Sequence, residues 1–311
     1  MKDLQYKVTG GMKRKRQRNM IFYCCMLAFP VAQFLVFYIY VNFNSILLSF
    51  RRFNADGTFT FCGFENFAAL FSDIANLPEL RYGMRNTFIV YAFNLVVGIL
   101  TGLLFSYYIY KKRFAAGFFK VVLFMPSVIS SVVIVSMFKM FADSFVPTLI
   151  NQIFGTNMLG LLTEESTVFG TLLFYGLWLG LGTPILMYLG AMNNISESTI
   201  EAAQIDGATP LKEFFYIVLP QIFPTVIVFI TSGLAGIFLN QFNLYTFYGN
   251  LAEPRVYTVG YFMYLRLVRS SGYANYPYVA AMGLLITLVT TPVVLLVRRL
   301  LNKIDPMGDK A

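Results

Sequence analysis

Histidine is absent from the chain, and tryptophan occurs once, at Trp178. Without imidazole there is no His-ligated metal and no Ser–His or Cys–His catalytic pair. The dipeptide Gly-Lys never occurs, so a GxxxxGK[ST] phosphate loop is excluded and the chain is not itself a P-loop motor. Cysteine is scarce: Cys24 and Cys25 are adjacent in an apolar run, and Cys62 stands alone in a loop. Adjacent cysteines seldom bridge and a lone loop cysteine lacks an obvious partner, so no disulfide framework is implied. Charge is scarce too. Of 311 residues, 13% are charged and 57% hydrophobic. A soluble domain of this length needs more polar surface.

What is present is apolar and arranged in runs. Uncharged stretches longer than about 20 residues, enough to cross the hydrocarbon core, recur along the chain. They predict an all-α, polytopic membrane protein with six transmembrane helices, within 20–50, 86–110, 121–142, 167–192, 216–242 and 277–297. The basic stretch "KRKRQR" ahead of the first run has the outline of a signal peptide. The run itself is too long and lacks a small-x-small cleavage site, so an uncleaved span is expected.

The net charge of +9 fits basic residues placed at membrane ends, where they fix orientation and meet anionic headgroups of the lipid bilayer. No aromatic-plus-basic stripe lies outside the spans, so nucleic acid is not an expected partner. Seven Lys and Arg precede residue 20, four lie in 111–120, and four follow from Arg298 onward. With six spans these segments share one side, which is then cytoplasmic, and both termini lie there. The expected organisation is a basic cytoplasmic N-terminus (1–19), a transmembrane domain (20–300) and a cytoplasmic tail (301–311). The domain carries an external cap at 51–85, with a turn at Asp56-Gly57, and a cytoplasmic loop at 193–218.

That loop departs from the basic trend. It holds one lysine against Glu197, Glu201, Asp206 and Glu213. Ser198 and Glu201 fit a capping box that starts a helix, and Ala202 and Ala203 favour its continuation. Gly207 is expected to stop it in the left-handed conformation. Thr209 and Pro210 then suit the N-cap and first position of a second helix. The paired alanines would let a partner backbone approach closely, and Glu201 offers a fixed charge to a basic partner.

The pattern "EAAQIDGA", followed after a spacer by "IVLP", resembles the EAA loop of permease subunits of bacterial ABC importers. The "IDGA" form is similar to the carbohydrate-uptake, maltose-type permeases. "GFENF", "RNTFIVY", "MPSVISSVVIVSMFKMF" and "GLWLGLGTPILMYLGAMNNIS" resemble further family segments. The resemblance implies a type I ABC importer permease fold in the bacterial inner (plasma) membrane. Glu201, Ala202, Ala203, Ile205, Asp206 and Gly207 would form the coupling helix and bend that dock on separate ATPase subunits. A second related permease would complete the pathway, and an extracellular or periplasmic solute-binding protein would deliver a sugar or oligosaccharide. No cofactor and no enzymatic activity of the chain's own are implied. Two positions depart from the family pattern: Ser196 stands where proline is frequent, and Asn243 stands where sugar permeases carry aspartate.

An uncharged polyol calls for amides, hydroxyls and aromatic faces. The candidates are Asn94, Asn240, Gln241, Asn243 and Tyr245, each of which could equally serve as an interhelical hydrogen-bonding group. Gly176, Gly180 and Gly182 are expected to permit close helix packing. Lys139 is expected near the external end of its span, with its stem snorkelling. An ABC permease for an amino acid or peptide, or an ion-coupled carrier, are the alternatives. The carrier is disfavoured because the spans lack a buried carboxylate relay.

Overall fold

The structure, a computed structural model, describes residues 2–306. Six of its helices are long and apolar enough to span a bilayer. The first, α1, is apolar over Gln17–Ser49. A hairpin follows, β1 (Arg51–Phe53) antiparallel to β2 (Phe59–Phe61). Next come α2 (Glu65–Asn76), α3 (Pro78–Tyr110), α4 (Ala116–Val128), α5 (Ser131–Phe154) and α6 (Val168–Asn193). The remaining helices are α7 (Glu197–Ile205), α8 (Pro210–Ala235), α9 (Leu244–Tyr248), α10 (Val259–Val268) and α11 (Tyr276–Ile304). The spans are α1, α3, α5, α6, α8 and α11.

Three boundaries differ from expectation. The second span begins at Pro78, seated at the first helical position after extended Leu77, so the end of the 51–85 segment is already helix. The fifth ends at Ala235 rather than near 242. The third, expected over 121–142, is broken. Helix α4 stops at Val128, Ile129 and Ser130 are extended, and α5 starts at Ser131. Pro126 sits in the last turn of α4 and withholds a helical N–H there. The break lies within Pro126–Ser131, whose three serines are uncharged and sit among apolar residues, so the run still read as continuous.

The described residues form two compact units. One runs through Leu70 and takes up Ser271–Leu284, and the other holds Phe71–Ser270 and resumes at Leu285. In the first, the hairpin turns at Asp56 and Gly57 as expected, with Gly57 at φ +83°. The Thr58 hydroxyl and amide both donate to the Asp56 carboxylate, which lowers its pKa. Asn66 donates its amide to the carbonyls of Ser49 and Arg51, both at 2.8 Å. Phe50 packs against Phe64 and Phe67, both at 5.4 Å between centroids. The cap is thus ordered by its phenylalanines and one bridging amide.

In the second unit, α3, α6, α7 and α8 share one core around Leu103, Tyr188, Met192, Ile200 and Val218. Lipid tails give no hydrophobic drive for helices to meet, so small residues and short polar bridges decide the contacts. Ser106 of α3 donates to its own Gly102 carbonyl at 2.6 Å and lies 3.1 Å from the Ile185 carbonyl of α6. A Cβ on Gly102 would sit 3.4 Å from the Tyr188 ring.

Candidate functional site

Two features stand out in the second unit. The first is the turn between α7 and α8. Ser196 caps α7, its Oγ accepting from the Thr199 amide at 3.3 Å. The expected box at Ser198 is therefore two residues late: Ser196 has the extended cap conformation, and Glu201 is not in the first turn. At the other end, the Gly207 amide donates to Gln204 and the Ala208 amide to Ala203, at 3.1 and 2.9 Å. This is a Schellman closure, and it needs Gly207 at φ +78°. A Cβ on Gly207 would meet nothing within 4 Å, so the backbone angle alone demands glycine. Thr209 then caps α8, with Pro210 at the first position.

Glu201, Ala202, Ile205, Asp206 and Gly207 are exposed on this turn. Ala203 is not. It is 8% exposed and faces inward with Ile200, one helical turn away. The expectation that both alanines meet a partner is corrected: one stacks on the core and one is free. Ile205, 86% exposed, is the most exposed large apolar group beside the turn, and Leu211 at the start of α8 is 69% exposed.

The second feature is a cavity of about 290 Å³ between α3, α6 and α8. Tyr91, Asn94 and Asn240 supply its polar groups, the Tyr188 ring forms part of its wall, and Gly180 opens its α6 side. A neighbouring cavity of about 230 Å³ shares Tyr91, Asn94 and Asn240 with it and reaches Thr258. Among the described residues, none that lines either space is charged. Asn94 opens a π-type turn, Asn94–Gly98, in the middle of α3, a distortion frequent at functional sites. The Tyr188 hydroxyl is buried and has no hydrogen-bond partner among the described residues.

Asn240 lies beyond α8, where the chain leaves helical geometry. Its Oδ1 accepts the Phe242 amide at 2.8 Å, which leaves its NH2 without a partner among the described residues. Its main-chain carbonyl accepts the Thr258 hydroxyl at 2.7 Å. Thr87 of α3 in turn accepts the Val259 amide at 3.0 Å, and buried Asn86 donates to the carbonyls of Arg255 and Tyr257 at 2.6 and 2.9 Å. These supports were missed in the sequence. Their only trace is two adjacent polar residues at the start of an apolar run.

The five candidate pathway residues therefore divide. The cavity brings Asn94 and Asn240 together. Gln241 is exposed and does not line it. Asn243 sits at φ +51° beside Phe242 at φ +58°, and its amide lies 3.4 Å from the Tyr175 hydroxyl. Asparagine tolerates the left-handed region, which gives position 243 a backbone role. Tyr245 packs edge-on to Tyr264 at 4.9 Å. Among the glycines, Gly176 faces the Phe242 ring, where a Cβ would lie 2.6 Å away, and Gly182 faces Ser127 at 2.9 Å. Gly180 meets nothing within 4 Å and is a gap, not a packing contact. Lys139 falls inside α5 because the helix starts late. Its Nζ donates to the Phe247 carbonyl at 3.2 Å and lies 5.8 Å from the Tyr248 ring centroid. Burial, and less so the nearby Asp143 carboxylate, raise the pKa of the Tyr248 phenol.

Six apolar helices long enough to span a bilayer, three of which (α3, α6 and α8) enclose an uncharged polar cavity, are the build of a polytopic membrane transport component. Residues 94–307 match the family described as binding-protein-dependent transport system inner membrane component, and the chain belongs to that family. It is 28% identical over 265 residues to the arabinooligosaccharides transport system permease protein AraP of Bacillus subtilis, covering 83% of this chain and 82% of that protein. It is 32% identical over 197 residues to the probable ABC transporter permease protein MG188 homolog of Mycoplasma pneumoniae, covering 61% of this chain but only 58% of that protein. The fold is similar to a chain of a bacterial ABC transporter involved in the import of the acidic polysaccharide alginate. There the TM-score is 0.76 at 22% identity, over 94% of this chain and 99% of that one.

Proposed function

We propose that the chain is a permease subunit of an ATP-driven sugar or oligosaccharide importer. The cavity between α3, α6 and α8 is its share of the pathway, and a second, related permease supplies the rest. The termini and the α7–α8 turn face the cytoplasm, where separate ATPase subunits receive Glu201, Ala202 and Ile205. A solute-binding protein delivers cargo on the other side. Closure of the ATPases on ATP displaces the turn and opens the pathway outward, and hydrolysis resets it.

One observation carries the choice of cargo: among the described residues the cavity offers two carboxamides and the Tyr91 phenol and no charge. A neutral polyol is recognised by such groups. The named relatives point the same way, among them AraP and the multiple sugar-binding transport system permease protein MsmF of Streptococcus mutans. Another relative is named for sn-glycerol-3-phosphate, an anion. A phosphate would call for Lys or Arg, and no such residue lines this cavity.

The test is uptake by cells carrying the whole transporter, with radiolabelled neutral oligosaccharides beside glycerol phosphate. Uptake of a neutral oligosaccharide that stops on ATP depletion and survives an uncoupler is the expected result. Preference for the phosphate ester would overturn the cargo. Collapse with the uncoupler alone would overturn the mechanism in favour of an ion-coupled carrier.

A further inference from the structure

Outside the cavity and the exposed turn, one charged group among the described residues is sealed in the second unit. Glu213, in the first turn of α8, is 2% exposed. Both of its carboxylate oxygens accept from the Lys111 ammonium, at 2.9 and 3.0 Å. Lys111 caps the C-terminal end of α3, and its side chain is 20% exposed. Tyr107, one turn earlier on the same face of α3, places its hydroxyl 2.9 Å from the Pro210 carbonyl and 3.2 Å from the Glu213 carboxylate. Its ring lies 5.0 Å from Phe214. The last turn of α3 thus grips the first turn of α8 at Pro210 and Glu213, directly after the Gly207 bend.

Each of these helices also lines the cavity, α3 through Asn94 and α8 through Phe229 and Gly233. A buried ion pair adds little net stability, because desolvation offsets the attraction. Its value lies in register, since the carboxylate has to stay against the ammonium. Apolar side chains at the same place would hold the helices together but would let them slide.

We infer that Lys111 and Glu213 are positioning residues that make α3 move with the α7–α8 turn, so that displacement of the turn reaches the cavity wall at Asn94. The π-type turn Asn94–Gly98 lies between the grip and the far end of α3, where the helix is already loosened. The pair would carry motion along two helices at once, α8 directly and α3 through the carboxylate. This inference rests on the proposed function, because it takes the turn to be where the ATPases push.

The experiment uses the whole transporter in liposomes and needs no identified cargo. Cys24, Cys25 and Cys62 are replaced by serine, and Gly180→Cys is introduced as a reporter in the cavity wall. Its labelling rate by a water-soluble maleimide is compared without nucleotide and with ATP plus vanadate. A photo-crosslinker at exposed Gln204 reports contact with the ATPase. With the pair intact, the two rates are expected to differ about fivefold or more, the usual range for coupled sites. In Lys111→Leu with Glu213→Leu, which leaves no unpaired buried charge, the ratio is expected to fall to one while the crosslink persists. The exchanged pair, Lys111→Glu with Glu213→Lys, is expected to restore it.

A parental ratio in the leucine double variant would overturn the inference. So would an exchanged pair that inserts yet leaves the ratio at one, and so would failure of both variants to insert, which would make the pair a fold staple. Absence of the Gln204 crosslink in the parent would instead overturn the proposed function itself.

Discussion

Thr258 donates its hydroxyl to the main-chain carbonyl of Asn240 across 2.7 Å. Gly260 leaves room for that carbonyl: a Cβ there would lie 2.8 Å from its oxygen. A chain that leaves helical geometry inside an apolar bundle has to find partners for its carbonyls. Here the partner comes from a segment pinned to α3 by Asn86 and Thr87. The amide that Asn240 presents to the cavity is therefore held from behind, by the Thr258 hydroxyl on its carbonyl and the Phe242 amide on its Oδ1.

Replacing Thr258 by valine keeps the shape and removes the donor. The Asn240 carbonyl is left unpaired, at a cost of about 1–3 kcal/mol. Thermal stability in detergent should fall, and uptake should fall several-fold, while Thr258→Ser stays near the parent. Parental uptake in the valine variant would show that Asn240 needs no such support.

Gly207 makes a separate prediction, because its constraint is purely conformational. At φ +78° a side chain costs about 1–2 kcal/mol even where space is free, and a β-branched one more. Gly207→Val should still insert but should hydrolyse ATP without matching uptake, measured as sugar carried per ATP. Gly207→Asn should lie between the two. Coupled uptake at the parental ratio in the valine variant would mean that the bend is dispensable.

These two sites mark where local chemistry was legible and where it was not. The bend was readable because glycine, threonine and proline act on their own backbone: Gly207, Thr209 and Pro210 do what their positions dictate. The roles of Ala202 and Ala203 were not, since neighbours in sequence point to opposite sides and only the packing of Ile200 tells which is inside. The break at Ile129 and Ser130 was hidden because its proline and serines carry no charge and sit within an apolar run, and it placed Lys139 inside α5. Of the amides, Asn94 and Asn240 share a cavity that forms only when α3, α6 and α8 assemble. Asn243 looked equivalent in composition, yet its left-handed backbone gives it a different task.

On the proposed function, the exposed face of α7 is where the ATPase docks, and its residues can be tested one by one. Glu201 offers charge and Ile205 offers an apolar knob that is 86% exposed. Glu201→Lys should reverse the charge and uncouple ATP hydrolysis from uptake without affecting insertion. Ile205→Ser should weaken co-purification of the ATPase, since a buried interface side chain of this size contributes about 1.5–3 kcal/mol. Parental uptake in Glu201→Lys would remove this face from the mechanism.

The cavity residues allow transport to be separated from folding, provided the right ones are chosen. Asn240→Leu is a poor choice, because Oδ1 of Asn240 also closes the turn to Phe242. Tyr188 and Asn94 are better. The Tyr188 hydroxyl is buried without a partner among the described residues, a state that costs about 1–3 kcal/mol. If the hydroxyl had only a structural part, Tyr188→Phe would be neutral or stabilising, and uptake would be unchanged. If the cavity wall opens during transport and the hydroxyl then meets the cargo, the same variant should melt no lower than the parent and yet carry sugar more slowly, about tenfold for one lost hydrogen bond of roughly 1.4 kcal/mol. Asn94→Leu, whose amide has no partner among the described residues to lose, should behave likewise. A rise in melting temperature with undiminished uptake in both variants would leave the cavity a packing defect, and the pathway would have to be sought on another face of α3.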